Sequence, residues 1–309
     1  MQVYRNTDLL PVFRNAVLTI GTFDGVHSGH QQVINQMKRR AADVNGETVI
    51  VTFDPHPRTI VKAADGIRLI NTLDEKIELL SDKGIDHLVI IPFTEKFARL
   101  SAEDYISQFL IRHFQPHTLI IGYDHHFGNG RSGNYELLKE QSAIYHYQLQ
   151  EIPAHLLDSI SVSSTRIRKA VEAGDMETAN HFLGYTYFFS GEVVEGNKLG
   201  RTLGYPTANL LIGEKSKLIP GDGVYAVDIV VSDEPDKTYR GMMNIGYRPT
   251  VDGSKKMIEV HIFQFDRMIY GRILRVFVKK FLRHEQKFSG LEALKAQMAE
   301  DKKNASPDI

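Results

Sequence analysis

The chain has 309 residues, 42% of them hydrophobic, which is enough for two domains that each bury a core of ordinary size. Its 37 basic and 38 acidic side chains nearly cancel, which argues against nucleic-acid binding but leaves small phosphorylated ligands open. The sequence has no cysteine, so disulfides, thiolate zinc sites and cysteine nucleophiles are excluded.

The N-terminal segment and the apolar runs indicate where in the cell the protein is located. Residues 1–10 are polar and mixed, unlike the basic start and apolar core of a signal peptide. The apolar runs at 88–91 and 119–121 are far shorter than the roughly 20 residues of a membrane helix. We therefore expect a cytoplasmic protein with no membrane partner.

The first half of the chain alternates two kinds of pattern. Short runs rich in Val, Ile and Leu predict buried strands at 16–20, 48–53, 87–92 and 118–121. Amphipathic stretches predict helices at 31–42, 74–83, 102–114, 164–173 and 176–182. Strands that alternate with helices predict a parallel sheet with helices on both faces.

Beyond Gly184 the pattern changes. Strand-like segments lie at 191–194, 224–231, 239–245, 258–265 and 273–281. Their connections carry Gly, Pro and Asp and leave no room for a helix, which predicts an antiparallel sheet or small barrel. A final helix is predicted at 291–301, with a polar tail after Lys302. We therefore predict two domains, 1–184 and 185–309.

Two histidines stand at the start of the first predicted helix, in the segment GTFDGVHSGH at 21–30. His27 and His30 are three residues apart and so share one face of a helix. The free N–H groups and the dipole of a helix N-terminus favour an anion there, and Gly29 allows a ligand close to the backbone. The arrangement predicts a phosphate site. The alternatives are two surface histidines or a zinc pair, which usually has a spacing of four and a third ligand.

This segment resembles the His-x-Gly-His signature of the nucleotidylyltransferase superfamily. Its flanking residues are similar to those of the FMN adenylyltransferase branch, which occurs in prokaryotic-type bifunctional riboflavin kinase/FAD synthetases. Three later segments resemble the same branch: TFDPHP at 52–57, GYDHHFG at 122–128 and SSTRIR at 163–168. His125 stands where that pattern usually has Phe. The resemblance implies a Rossmann-like, parallel-sheet nucleotidylyltransferase domain.

The resemblance also implies roles for individual residues. His27 and His30 bind ATP phosphates and stabilise charge as the phosphate of FMN attacks the α-phosphorus, and Arg168 closes on the triphosphate. Such reactions depend mainly on positioning and charge neutralisation. The alternative for Arg168 is a solvated helix residue. The other implied contacts are Gly21, Phe23, Gly29, Ser164 and Thr165 for ATP, and Phe53, Pro55 and Asp124 for the flavin.

A glycine-rich stretch, GNKLGRTLGYPTAN, lies at 196–209. Its glycines allow backbone conformations that direct N–H groups at phosphates, but the spacing is not that of a Walker loop. Glycine content alone therefore leaves a plain turn as an alternative. The final PTAN resembles the riboflavin kinase signature. Further segments continue the resemblance: GDGVY at 221–225, NIGYRPT at 244–250, EVHIF at 259–263, YG at 270–271 and RHE at 283–285.

The kinase resemblance implies a second site in the predicted barrel. Thr207 and Asn209 hold Mg²⁺ against the nucleotide phosphates, since this hard ion prefers oxygen ligands. Glu259 takes the proton of the ribityl 5′-hydroxyl as it attacks the γ-phosphate of ATP. The alternative for Glu259 is a solvent-facing strand carboxylate. The other implied contacts are Gly196, Gly200 and Gly204 for ATP, and Gly223, Tyr225 and Arg283 for the flavin.

Together the two resemblances cover almost the whole chain and imply a bifunctional enzyme of FAD biosynthesis. The C-terminal domain would phosphorylate riboflavin to FMN, and the N-terminal domain would adenylylate FMN to FAD plus pyrophosphate. ATP is the co-substrate, Mg²⁺ the expected cofactor, FMN and FAD the products, and delivery of both to flavoproteins a further expected role. Two alternatives are an enzyme that keeps only one activity and a flavin-sensing binding module.

Overall fold

Six parallel strands organise the first part of the computed structural model, which describes residues 1–61, 66–122, 125–152, 162–196, 200, 204–250 and 253–306. The strands follow the order β1-β4-β3-β2-β5-β6 within a compact unit, Met1–Ser164. Their bounds are β1 (Gln2–Tyr4), β2 (Val17–Ile20), β3 (Thr48–Asp54), β4 (His87–Pro92), β5 (Thr118–Gly122) and β6 (Gln148–Ile152).

Helices connect these strands. They are α1 (Ser28–Asp43), α2 (Pro57–Val61), α3 (Leu73–Ser81), α4 (Glu95–Ala98), α5 (Ala102–Asp104), α6 (Arg112–Phe114) and α7 (Tyr135–Tyr145). Between α5 and α6 the chain continues as a π-helical segment, Tyr105–Ile111, so the helix predicted at 102–114 is confirmed with a wider turn in its middle. No helix among the described residues is long and apolar enough to cross a membrane.

The sheet is covered on both faces. Alternate residues of a strand point to opposite faces, and Val49 and Val51 of β3 belong to one buried cluster while Ile50 belongs to another. The first cluster contains the π-helical residue Phe109, and the second contains Met37 of α1. The parallel sheet with helices on both faces, predicted from the alternation of patterns, is therefore confirmed.

Two strands of this sheet were not predicted. β1 is only three residues long and mostly exposed, and β6 is half-buried, so neither contains an apolar run. The short helices α2 and α4 and the longer α7 were also missed. Helix α1 begins at Ser28, three residues before its predicted start, because the His27 side chain caps it.

The second unit, Thr165–Ile309, contains a closed antiparallel barrel. The strand order is β10-β11-β8-β7-β12-β9. Its elements are α8 (Ser164–Glu172), α9 (Met176–Leu183), β7 (Phe188–Val194), β8 (Ala208–Leu211), β9 (Gly223–Val231), β10 (Glu234–Thr250), β11 (Gly253–Ile262), β12 (Ile273–Arg283) and α10 (Leu291–Ala305). The predicted barrel with a terminal helix is confirmed.

Three details of this unit differ from the sequence prediction. β8 was missed, because it has only four residues. β10 is longer than predicted because it pairs along its length with both β9 and β11. α10 continues to Ala305, four residues beyond its predicted end at 301, and so includes the first residues of the polar tail. The extra turn is held by Asp301, which is buried and accepts hydrogen bonds from Arg283.

The two compact units divide between Ser164 and Thr165 rather than between 184 and 185. Helix α9 is tied to the second unit, since Asn180 Nδ2 donates to Val278 O at 3.0 Å and Asn180 Oδ1 accepts from Tyr187 N at 2.7 Å. The division into compact units therefore groups helices α8 and α9 with the barrel. The boundary at 184/185 stays a prediction about the catalytic domains.

Gly223 begins β9 with φ +149°, where an added Cβ atom would lie 2.5 Å from the Phe281 ring and 2.8 Å from the Arg283 carbonyl oxygen. We expect Gly223→Ala to lower the free energy of unfolding of this unit by about 2–4 kcal/mol, from overpacking and an unfavourable φ. Urea denaturation followed by circular dichroism measures it. Gly213→Ala is the matched control, since an added Cβ there meets nothing within 4 Å. Equal midpoints for the two variants would contradict the prediction.

Candidate functional site

The loop between β2 and α1 has an unusual backbone. Phe23, Gly25 and Val26 have φ values of +48°, +93° and +37°. Positive φ is costly for residues other than glycine, and most of all for a β-branched residue such as Val26. Such strain persists only where surrounding structure enforces it, and it concentrates at functional sites. Phe23 and Val26 are both buried, so packing holds this loop in its strained form.

The two histidines meet at the N-terminus of α1. Their rings stack, with centroids 3.7 Å apart and planes 15° apart. His27 Nδ1 accepts a long hydrogen bond from His30 N at 3.4 Å, so a neutral His27 ring carries its proton on Nε2. Gly29 leaves room for the His27 ring, because an added Cβ atom would lie 3.2 Å from that ring.

His30 has a strongly lowered pKa. Burial, then the neighbouring His27 and Lys76, lower the pKa of His30 well below its usual value, so its ring is neutral at pH 7. His30 Nδ1 is buried and has no hydrogen-bond partner among the residues that the structure describes. Phe23 covers the ring, with centroids 4.8 Å apart. A polar ring atom without a protein partner, at a helix N-terminus, is available to a bound anion.

Lys76 is a functional candidate that the sequence did not reveal. It lies on α3, whose first turn is fixed by a capping box between Thr72 and Glu75. Lys76 is only 6% exposed, and its Nζ donates to Thr22 O at 2.8 Å and to Thr52 Oγ1 at 3.5 Å. Burial lowers the pKa of Lys76, while Asp24 and Asp54 act weakly in the other direction. A buried ammonium group thus adjoins the loop that carries the histidines.

Ser164 is connected to the same loop. Its Oγ donates to the carbonyl oxygen of Asp24 at 2.9 Å, while Asp24 Oδ1 accepts from the backbone N–H of Ile70 at 3.0 Å. Ser164 therefore lies beside the residues that precede His27. Thr165 is exposed and Arg168 half-buried on α8, which belongs to the other unit, so their contacts with ATP remain predictions.

The residues predicted to contact the flavin nucleotide have mixed surroundings. Phe53, at the end of β3, packs in an aromatic cluster with Phe93 at 5.3 Å and Phe97 at 5.7 Å between centroids. Pro55 follows a cis peptide bond and is exposed, and Gly21 is half-buried. Asp124 lies outside the described residues.

The zinc alternative for His27 and His30 gains no support. Within the described ranges, no group of three or more His, Cys, Asp or Glu side chains lies where it could hold a metal ion. The pair therefore has no third ligand of those types in that part of the chain. Stacked imidazoles at a helix N-terminus are suited to phosphate oxygens, which accept hydrogen bonds from ring N–H groups.

The second cluster lies on the barrel, where three strands place polar residues side by side. Asn209 of β8 is the register partner of Glu259 of β11, and Glu259 is also the partner of Asn244 of β10. Directly opposite residues of antiparallel strands point to the same face, with Cβ atoms roughly 4.5–5.5 Å apart. Asn209, Glu259 and Asn244 therefore form one row. Sequence analysis missed Asn244, because only strand register places it beside Glu259.

Asn209 is only 4% exposed, and its Oδ1 has no hydrogen-bond partner in the described part of the chain. Gly196 leaves room for this side chain, because an added Cβ atom would collide with its amide group. Glycine is needed at position 200 because an added Cβ atom would collide with Tyr205 O, and Thr207 Oγ1 would lie 3.4 Å from that Cβ atom. A buried oxygen without a partner in the described residues fits a hard cation. Gly204, with φ +83°, is exposed.

The predicted faces of β11 are confirmed for its apolar residues and for Glu259. Ile258, Val260 and Ile262 are buried, while Glu259 is half-buried. His261 shares the face of Glu259 but is buried, with its Nδ1 2.8 Å from Pro206 O. This contact fixes the loop just before Thr207, and burial lowers the pKa of His261.

Two residues predicted to contact the flavin have protein partners. Tyr225 is fully buried, and its hydroxyl donates to Gly221 O at 2.6 Å. Arg283 donates to both carboxylate oxygens of Asp301, at 2.8 and 2.7 Å. These contacts fix the barrel and the terminal helix, while contact of either residue with flavin, and of Gly223 beside them, stays a prediction.

Asn244 extends the row toward the end of β12. Its Nδ2 donates to Glu285 Oε1 at 3.1 Å, and Gly246 leaves room for that carboxylate, which an added Cβ atom would displace. Two carboxylates, Glu259 and Glu285, thus flank the Asn244 side chain on one side of the barrel. This arrangement provides a candidate proton acceptor and a candidate cation ligand within one row.

Comparison with known proteins identifies the family of each part of the chain. The family model described as FAD synthetase matches residues 10–166, and that described as riboflavin kinase matches residues 183–307. The bifunctional riboflavin kinase/FMN adenylyltransferase of Escherichia coli (strain K12) is 35% identical, over 94% of this chain and 91% of the relative. The protein of the same description from Listeria monocytogenes is 37% identical, over 94% and 91%.

A solved structure extends the similarity to the whole fold. A crystal structure from Streptococcus pneumoniae, described as a macrolide-efflux protein, has a TM-score of 0.86 and 28% identity, and the match covers 100% of this chain and 99% of that one. The chain is more than one third identical to several curated relatives over nearly its full length. The two family models match consecutive parts of it, FAD synthetase first and riboflavin kinase second. The chain therefore belongs to the family of bifunctional riboflavin kinase/FMN adenylyltransferases.

Proposed function

We propose that the chain makes FAD from riboflavin and two molecules of ATP. The second unit transfers the γ-phosphoryl group of ATP to riboflavin and releases ADP, and the first unit transfers AMP from ATP to the resulting FMN and releases pyrophosphate. One observation supports this division above the others: each family motif carries a buried polar atom that has no partner among the described residues, His30 Nδ1 in one unit and Asn209 Oδ1 in the other.

In the adenylylation step, a phosphate oxygen of FMN attacks the α-phosphorus of ATP, and the bond to pyrophosphate breaks. Negative charge builds on the phosphate chain, so the protein has to provide donors in fixed positions. The α1 N-terminus and the His27 and His30 rings are our proposed donors. Ser164, held at the Asp24 carbonyl, is proposed to contact ATP from the other end of the loop. Contacts of Thr165 and Arg168 with ATP stay predictions.

In the kinase step, the ribityl 5′-hydroxyl of riboflavin attacks the γ-phosphorus, and its proton has to leave. We assign Glu259 as the acceptor, because its carboxylate is half-buried on the same face of the barrel as Asn209. A positioned base of this kind typically contributes about 10²–10⁴-fold to the rate. Asn244, opposite Glu259, would restrict the carboxylate to one position on the barrel face.

The donor set around Asn209 fits Mg²⁺. This ion prefers oxygen ligands and keeps several waters, so it needs few protein groups. Asn209 Oδ1 and Thr207 Oγ1 are the proposed protein ligands, and Gly196 and Gly200 leave the space around them. When bound, the ion supplies positive charge that neutralises the nucleotide phosphates.

A single-activity enzyme and a flavin sensor are the competing functions. Both candidate sites keep their polar residues, which favours two activities over one. Purified protein given riboflavin and Mg·ATP should accumulate FMN and then FAD, whereas a sensor would bind flavin without turnover. A cytoplasmic location and delivery of FMN or FAD to flavoproteins stay predictions.

His30→Ala should reduce FMN adenylylation by about 10²–10³-fold, because it removes one preorganised donor from the phosphate site. Riboflavin phosphorylation should stay near the wild-type rate. Initial rates of FMN→FAD and riboflavin→FMN, measured in the same preparation, test this. His113→Ala, a partly exposed histidine on α6 outside both sites, is the control. Equal loss of both activities in a folded His30 variant would contradict a dedicated adenylylation site.

Glu259→Gln keeps the shape and hydrogen-bonding capacity of the side chain but cannot accept a proton at neutral pH. We expect riboflavin phosphorylation to fall by about 10²–10⁴-fold, with FMN adenylylation unchanged. Glu192→Gln is the matched control, an exposed strand carboxylate on β7 of the same barrel. If the Glu259 variant kept most of its kinase rate, the residue would be a solvated carboxylate.

Asn209→Leu keeps the volume of the side chain and removes the unpartnered oxygen. Stability should be unchanged or higher, since a buried oxygen without a partner costs about 1–3 kcal/mol. Riboflavin phosphorylation should fall by roughly 10²-fold, and more Mg²⁺ should be needed for half-maximal rate. Thermal unfolding and a Mg²⁺ titration of the kinase rate measure both effects. A loss of stability without any change in the Mg²⁺ dependence would exclude Asn209 as a ligand.

A further inference from the structure

Lys76 is a buried cation whose charge the protein compensates only in part. Lysine is almost never fully buried unless it is paired. Lys76 is 6% exposed, yet its Nζ forms no ion pair within 4.0 Å of a carboxylate among the described residues. Asp24 and Asp54 influence it from a distance, and burial outweighs them. A buried charge in this position is unfavourable for the protein unless an anion approaches it.

The ammonium group also keeps one donor free. It has three N–H groups, and its acceptors among the described residues are Thr22 O at 2.8 Å and Thr52 Oγ1 at 3.5 Å. Both acceptors border the loop between β2 and α1, and Thr52 Oγ1 itself donates to Thr22 O at 3.1 Å. The third N–H therefore has no acceptor in the described part of the chain.

The histidine pair lies within electrostatic range of this charge. Lys76 is one of the groups that lower the pKa of His30, after burial and His27. The charged and titratable groups that act on the two residues are His27 from the helix start, Asp24 from the loop and Asp54 from the end of β3. A site with a free ammonium donor, a neutral imidazole and a helix N-terminus has excess positive character and unused donors, which is the chemistry that a polyphosphate requires.

We propose that Lys76 belongs to the adenylylation site, where its ammonium group fixes the Thr22 carbonyl and supplies a positive charge to the phosphate chain of ATP. This proposal rests on the proposed function of the histidine pair. It predicts one effect that a purely structural lysine would not have: binding of pyrophosphate, the product of the step, should depend on Lys76. Removal of the charge should also raise the pKa of His30, which tests whether the lysine acts on the histidine pair.

The kinetic test compares Lys76→Met with Lys76→Arg in the full chain. We expect Lys76→Met to raise the KM for ATP in FMN→FAD, and the inhibition constant of inorganic pyrophosphate, by about 10-fold or more. Lys76→Arg, which keeps the charge, should restore part of both. Riboflavin phosphorylation in the same preparation serves as an internal control. Lys38→Met is the matched variant, because Lys38 Nζ also donates to a backbone carbonyl, Lys83 O at 2.9 Å, but is exposed.

The spectroscopic test uses a histidine titration. NMR of ¹³C-labelled histidine should show a higher pKa for His30 in Lys76→Met than in wild type, since a repelling positive charge is gone. In Lys38→Met the pKa of His30 should not change. An unchanged KM, pyrophosphate inhibition and His30 pKa in a folded Lys76→Met variant would overturn the proposal and leave Lys76 as a structural residue.

A measurement on the wild-type chain covers the case in which Lys76→Met does not fold. The lysine ¹³Cε resonance of Lys76, assigned by its absence in Lys76→Arg, should titrate at higher pH when inorganic pyrophosphate is saturating. No change in that titration overturns the proposal. The outcome is separate from the His30→Ala test: normal FAD formation in His30→Ala refutes the histidine site itself, whereas a strong His30→Ala effect with no Lys76 effect refutes only the role of the lysine.

Discussion

A buried polar atom without a hydrogen-bond partner destabilises a folded protein by about 1–3 kcal/mol, and each unit of this chain carries one at its candidate site. In the first unit the atom is His30 Nδ1, and in the second it is Asn209 Oδ1, neither of which has a partner among the described residues. Neither can be relieved by a local rotation at no cost, because the His30 ring contacts both His27 and Phe23, and Gly196 lies against the Asn209 amide. The surrounding packing therefore maintains an unsatisfied atom that is already in place for a ligand.

The sheet and the barrel place polar groups at their candidate sites in different ways. In the parallel sheet, β2 ends at a loop that leads into a helix, so backbone N–H groups and side chains converge where an anion gains most from the helix dipole. In the barrel, strand register has this role. Register alone brings Asn209, Glu259 and Asn244 onto one face, and that suits a cation and a proton acceptor better than an anion. The division of chemistry between the units follows from this difference.

The sequence predicted what depends on local pattern. Buried strands of the parallel sheet contain continuous apolar runs, and the histidine and PTAN segments were recognisable as motifs. Lys76 was not, because on a helix rich in charged residues it has the pattern of a solvated face. Only the tertiary contact with Thr22 O buries it. Asn244 was missed for a similar reason, since a polar residue on a strand has no visible partner until strand register is known.

Two residues of the kinase motif also hold the barrel and its terminal helix together. The Tyr225 hydroxyl donates to Gly221 O and Arg283 holds the buried Asp301 of α10, while the contact of either residue with flavin stays a prediction. The same short segment continues from Arg283 to Glu285, which accepts from Asn244, the neighbour of Glu259. The residue that anchors the terminal helix is thus separated by only one residue, His284, from the one that contacts the neighbour of the proposed base. Since a proton acceptor must keep its position to within a fraction of an ångström, the frame that holds Glu285 and Asn244 in place includes the terminal helix itself.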